Sequence, residues 1–197
     1  MFRSVFAWAL IGLFLLGFVV QAGAMTPQGS PSAVVEQVVT LVREMQSHSA
    51  AGVKPQKVSA LLNIEEVSRK CLGTTWDRLA QAERKRFMGL FTNLLEKVAY
   101  PKSSKFFNDL TVNVDQEKIQ QGSAYVRTSI QHPKEGRIGI DYRLQKVSGR
   151  WLITDIILDG VSLVTDLRSQ MQEILSENSY SELTRRMEEK IQENKAP

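Results

Sequence analysis

One cysteine and two histidines are all that the 197 residues hold of two side chains much used in metal binding and nucleophilic catalysis. With Cys71 alone, no intramolecular disulfide can form, and the fold must hold by packing. His48 stands between serines and His132 precedes Pro133, and no Cys/His cluster has metal-ligand spacing. No glycine-rich phosphate cradle, nucleophile elbow or zinc-helix motif occurs. Charge of one sign is not concentrated either. The net charge is +4, with Asp and Glu interspersed among Lys and Arg, unlike the basic face or arm of a nucleic-acid binder. The chain carries no internal repeat, and its apolar share of 43% is that of an ordinary globular protein.

Long hydrophobic runs are absent except at the start. Met1, Phe2 and Arg3 give a short positive beginning, and Val5 to Val20 is unbroken apolar sequence. Ala22-Gly23-Ala24 then fits the small-x-small cleavage rule, so residues 1–24 read as a signal peptide and Met25 as the mature start. The rival is an uncleaved anchor helix, but a span needs about 20 apolar residues and this run falls short. No cysteine follows it to take a lipid. Export removes ATP and cytosolic cofactors from consideration. Cys71 shares helical spacing with Ile64 and Val67, and reads as a small buried hydrophobe rather than a reactive thiol.

Met25 to Pro31 has linker composition, and Ser32 suits the N-cap of an amphipathic helix running through Val34, Val35, Val38, Val39 and Val42 to about Ser47. Pro55 opens a short helix, and Asn63 caps another over Ile64–Leu72 that Gly73 ends, with Trp76 in the turn beyond. Ala80 to Ala99 is the strongest helix, stopped by Tyr100-Pro101. From Leu110 the period changes to two. Thr111–Asp115 (resuming at Lys118-Ile119), Ala124–Gln131, Arg137–Val147 and Arg150–Leu158 read as four strands joined by tight turns. In the fourth strand, Trp151, Ile153 and Ile157 oppose Leu152, Ile156 and Leu158. Apolar on both sides, it is expected to be buried on both. Gly160 breaks it, Val161 to about Leu175 forms a helix, and Asn178-Ser179 restarts a last one that frays after Gln192. The class is α+β, with a curved antiparallel four-stranded sheet cradling the N-terminal and C-terminal helices.

Chemistry is scarce. Asp141 and Asp155 fall on strands that a hairpin could bring together, and two carboxylates beside a cavity could serve acid–base work in a small hydrolase or isomerase. The plainer reading pairs them with Arg143 or Arg150 and gives Asp159 to the Gly160 turn. Apolar surface, by contrast, is plentiful. It could be plain core or the wall of a cavity.

Several stretches resemble the MlaC family, also called toluene-tolerance or ABC-transporter auxiliary proteins. They are Ile140-Asp141-Tyr142-Arg143-Leu144, Gly149-Arg150-Trp151, Asp155 to Val164 with its Asp159-Gly160-Val161-Ser162-Leu163 block, and Arg168-Ser169-Gln170 with Ile174. Leu72-Gly73-Thr74-Thr75-Trp76 and Ala82 to Phe87 fit as well. Leu167 and Met171 stand where the family often has aromatics, and Asp159 where Glu is common. The resemblance implies a periplasmic carrier of phospholipid with no catalytic residue, metal or cofactor. Its implied partners are an inner-membrane ABC transporter complex with an MCE-domain ring and an outer-membrane lipoprotein–porin assembly, and its implied role is outer-membrane lipid asymmetry. A hopanoid-associated branch leaves a rigid polycyclic ligand open. The expected cavity lining is Phe87, Leu90, Phe91, Leu94, Val98, Val112, Val126, Ile140, Tyr142, Ile153, Ile157, Val161, Leu163, Val164, Leu167 and Met171.

Overall fold

The computed structural model describes residues 29–45, 54–107, 110–134 and 136–194. The expected signal peptide, residues 25–28 of the linker, and Ser47 and His48 lie outside them. The helices are α1 Pro31–Glu44, α2 Pro55–Ser59, α3 Ile64–Leu72, α4 Thr74–Arg78, α5 Gln81–Leu94 and, after a π turn Leu95–Ala99, α6 Tyr100–Phe107. The strands β1 Val112–Gln120, β2 Ser123–His132, β3 Gly136–Val147, β4 Arg150–Leu158 and β5 Val161–Ser162 follow, then α7 Leu163–Glu177 and α8 Tyr180–Glu193. Among the described residues no helix is long and apolar enough to cross a membrane.

Three X-Gly pairs fold the sheet. Gln121-Gly122, Ser148-Gly149 and Asp159-Gly160 each place two successive residues at positive φ, between 46° and 83°. That is the signature of two-residue hairpin turns whose twist matches the strands they join. The result is an antiparallel meander in the order β1-β2-β3-β4-β5. The sheet thus has five strands, not four. Gly160 does not simply break β4; it completes the third such turn and opens a short return strand in which Val161 faces Leu158. The helix expected from Val161 therefore begins at Leu163, where the Ser162 Oγ accepts from the Thr165 N–H. β1 is one continuous strand with a bulge between Val114 and Gln116, rather than two pieces.

β4 departs from simple alternation. Leu144 faces Ile153, yet Arg143 faces Asp155 and Tyr142 faces Ile156, so Thr154 is an extra residue. A one-residue bulge reverses the phase of everything beyond it. Ile153 and Ile156 consequently share one side of the sheet, and Asp155 and Ile157 the other. The expected grouping of Ile157 with Ile153 fails for that reason. Along its outer edge β4 is covered by β5 at one end and by the Leu61–Asn63 segment at the other. There Ile153 donates to the Leu61 carbonyl at 2.9 Å and accepts from the Asn63 N–H at 2.8 Å.

Two helix boundaries also shift. Ser30, not Ser32, caps α1 by accepting from the Ala33 N–H at 3.2 Å, and Pro31 enters the first turn. Ser32 instead donates its N–H (2.7 Å) and its hydroxyl to Glu117, tying the helix to β1. Nor does Tyr100-Pro101 stop the long helix. The Tyr100 N–H reaches back five residues to the Leu95 carbonyl. This wider turn accommodates the ring of Pro101, which would clash in a regular helix, and the chain continues as α6.

Two apolar clusters result. The first packs α1 (Val34, Val35, Val38, Val42) and Tyr100 of α6 on the inner face of β2, β3 and β4. The second joins α3, α4, α5, α7 and α8 through Cys71, Leu72, Trp76, Phe87, Phe91, Met171 and Leu183. Leu95, in the π turn, packs against both.

Candidate functional site

Where the two clusters meet, packing is incomplete. An apolar cavity of about 80 Å³ lies at the seam, lined by Leu62, Val67, Phe91, Leu95, Ile153, Asp155, Ile156, Leu163, Val164 and Leu167. A second, of about 320 Å³, is bounded by Phe91, Leu94, Leu95, Val98, Ala99, Leu163, Asp166, Leu167 and Lys190. Phe91, Leu95, Leu163 and Leu167 border both, so the two adjoin. α5 and the π turn form one wall, and the start of α7 the other. The start of α7 is held by a buried carboxylate. Asp155, 5% exposed, accepts from the Ser162 hydroxyl at 2.8 Å and from the Val164 N–H at 3.3 Å. This anchors the helix to β4 and fixes Leu163 and Val164 against the seam.

Of the residues expected to line a cavity, Phe91, Leu94, Val98, Ile153, Leu163, Val164 and Leu167 border these two. The others lie elsewhere. Val126, Ile140 and Tyr142 are sealed between α1 and the sheet, with Val112 packed against them. Phe87 and Met171 are in the helical cluster, with Leu90 against it. Ile157 is buried on the opposite side of the sheet, beyond the bulge. Val161, 61% exposed, borders an outer depression of about 500 Å³ with Gly160, Thr165 and Ser169. Leu62, Val67, Leu95, Ile156 and Ala99 line the cavities but were not among the expected residues. Leu95 had a signal in the sequence, since it lies four residues after Phe91 on the same helical face. Asp166 and Lys190 had none, because each reads as an ordinary exposed charge.

The carboxylates weighed for acid–base work are engaged structurally. Asp155 has Arg143 at 3.5 Å in addition to its helix contacts. Asp141 pairs with neither Arg143 nor Arg150; it accepts from the Tyr125 hydroxyl and has Arg127 at 3.8 Å. Arg150 donates to the Ala60 carbonyl at 3.4 Å. The ladder sets Asp141 opposite Ile157 and Asp155 opposite Arg143, so the two acids do not face each other. Asp159 accepts from the Gly139 N–H at 3.0 Å, across the β3–β4 hairpin. Burial, and then the nearby charge of Asp155, push the Cys71 thiol up to about 12, so it stays protonated at neutral pH. An open depression of about 450 Å³ beside the sheet mixes charged residues (Glu66, Lys70, Lys118 and Arg143) with Tyr125, Ala124 and Leu144. Among the described residues, no group of three or more His, Cys, Asp or Glu side chains could hold a metal ion.

No curated protein matches the chain. A solved structure similar to it is that of the phospholipid-binding protein from Ralstonia solanacearum in complex with a phospholipid. It has 17% sequence identity and a TM-score of 0.68, covering 86% of this chain and 99% of that one. At that identity the likeness speaks for the fold. The sequence model of the MlaC protein family matches residues 32–189, from the first turn of α1 well into α8. With so much of the sequence matched, the chain belongs to the MlaC protein family.

Proposed function

We propose that this protein is exported, loses residues 1–24 and, through a single lipid-binding domain of residues 32–197, carries phospholipid across the periplasm. On this reading it exchanges its load with an inner-membrane MCE-domain/ABC transporter complex and an outer-membrane lipoprotein–porin assembly, and so maintains outer-membrane lipid asymmetry. The role needs no cofactor and no catalytic residue. The observation that carries it is the pair of adjoining apolar cavities, the smaller at the seam and the larger beside it among the helices, on a fold of this family.

The physical case is one of solvation. A two-chain lipid hides about thirty methylenes, each worth about 0.8 kcal/mol, so on the order of 20 kcal/mol opposes its passage through water unaided. A carrier must replace water with apolar walls, and Phe91, Leu94, Leu95, Val98, Leu163 and Leu167 provide them. Taking a methylene as about the size of a water, ~30 Å³, the cavity of about 320 Å³ holds part of one chain. Loading two tails requires the helical cluster to part from the cluster that α1 forms with the sheet. The seam, where two separately packed clusters meet, is where parting disturbs the least packing.

Native mass spectrometry of the protein purified from a periplasm without detergent tests this directly. The expected result is a co-purifying mass matching phospholipid. Leu94→Trp, which fills the larger cavity from one wall, is expected to lower bound lipid several-fold and leave the melting temperature within a few degrees. A polycyclic terpenoid mass would replace phospholipid with a hopanoid-type ligand. A protein that is empty and also takes up no phospholipid from vesicles would end the carrier reading.

A further inference from the structure

Among the described residues, the larger cavity has apolar walls except at two places, and those two carry opposite charges. Asp166 comes from α7 and Lys190 from α8; both are exposed, and both border the same opening as Leu94, Val98, Leu163 and Leu167. They do not pair with each other. Asp166 accepts through Oδ2 from the Gln170 side chain at 2.8 Å, and Lys190 donates to Glu193 at 2.8 Å, each one turn along its own helix. Lys190 therefore has two of its three N–H donors left over, and Asp166 has its other oxygen. Asp166 sits in the first turn of α7 and Lys190 in the last turn of α8, where helix dipoles favour those signs. That accounts for each charge on its own helix but not for their meeting at one apolar mouth.

We propose that this mouth selects a zwitterionic phospholipid headgroup, the phosphate facing Lys190 and the ammonium facing Asp166. The proposal rests on the lipid-carrier reading and adds which class of lipid is preferred. Low-dielectric walls concentrate the field of the two charges on whatever emerges from the cavity. A phosphoethanolamine or phosphocholine group carries both charges on a short linker and satisfies both lips. A phosphoglycerol headgroup satisfies Lys190 through the same phosphate but offers Asp166 only neutral hydroxyl donors in place of a cation, and leaves the phosphate charge uncompensated beside it. Discrimination falls to Asp166, because the phosphate is common to both classes.

The test uses the exported protein mixed with vesicles of phosphatidylcholine and phosphatidylglycerol in equal parts, with matched acyl chains. The protein is re-isolated, and its bound lipids are quantified by extraction and mass spectrometry. The wild type is expected to be enriched in phosphatidylcholine. Asp166→Asn should remove the enrichment, and Asp166→Lys should tip it toward phosphatidylglycerol, a change of about two- to fivefold given what exposed charge pairs contribute. Glu173→Lys, the same change of charge at an exposed position of α7 outside both cavities, should leave the ratio alone. Lipid uptake with no preference, or a shift as large in Glu173→Lys as in Asp166→Lys, would overturn the selection and leave the carrier standing. No uptake of either lipid would overturn both.

Discussion

Asp155 shows how much one buried side chain organises. It was weighed from sequence as a possible acid or base, yet its oxygens are taken by Ser162, Val164 and Arg143, and it joins the bulged strand β4 to the helix that walls the cavity. Replacing it with Ala leaves the half-buried Ser162 hydroxyl and the buried Val164 N–H without this acceptor. The expected loss is roughly 1–3 kcal/mol in urea unfolding. Asp155→Asn keeps the shape and one acceptor oxygen and should lose less. The aspartate itself stands out in the sequence, but its role does not, because Ser162 and Val164 reach it only once the β4–β5 hairpin has closed. Thr154 is similarly silent: nothing in its identity marks it as the residue that re-phases the strand.

At the scale of elements, α8 carries its own electrostatic pattern. Glu182 accepts from both Arg185 and Arg186, and Arg185 also meets Glu189. Hydrogen bonds from Arg185 and then Arg186 lower the Glu182 carboxyl from the usual 4.5 to about 2. A carboxylate held below its unfolded value contributes above that value, so the contribution is intact above pH 4.5 and fades as the pH falls toward 2. Lying at the surface beside exposed arginines, it is a small and salt-sensitive contribution. An NMR titration of the Glu182 side-chain carbon should show a midpoint near 2, returning toward 4.5 in Arg185→Ala or at high salt. Pairing of this kind lies within reach of local sequence, because the partners are three and four residues apart. The fate of Tyr100-Pro101 was not, since a regular helix and one with a π turn have the same local preferences up to the proline.

For the whole molecule, the arrangement that matters is two packed clusters with a loose seam. This predicts that core and cavity positions respond differently. Phe87 is fully buried and stacks with Phe91, ring centroids 6.1 Å apart and planes 6° from parallel. Phe87→Ala is expected to cost about 3–5 kcal/mol in chemical denaturation, whereas Leu94→Trp in the wall of the larger cavity should reduce lipid with little cost in stability. If both variants lost stability alike, that wall would be ordinary core.

What the sequence determined by itself was mostly short-range. The α+β order, the cap at Asn63, the turn at Ser148-Gly149 and the buried face of β3 all follow from interactions within a few residues, so local pattern was enough. The β4–β5 hairpin carries the same X-Gly code and escapes a reading by pattern only because the strand after it is two residues long. Tertiary structure alone decided the rest. An apolar side chain reads the same whether it meets another side chain or a void, so nothing local separates Phe87 or Tyr142 in the core from Phe91 or Leu94 beside the cavity. That difference depends on where α7 and α8 come to rest, some seventy to a hundred residues along the chain from α5.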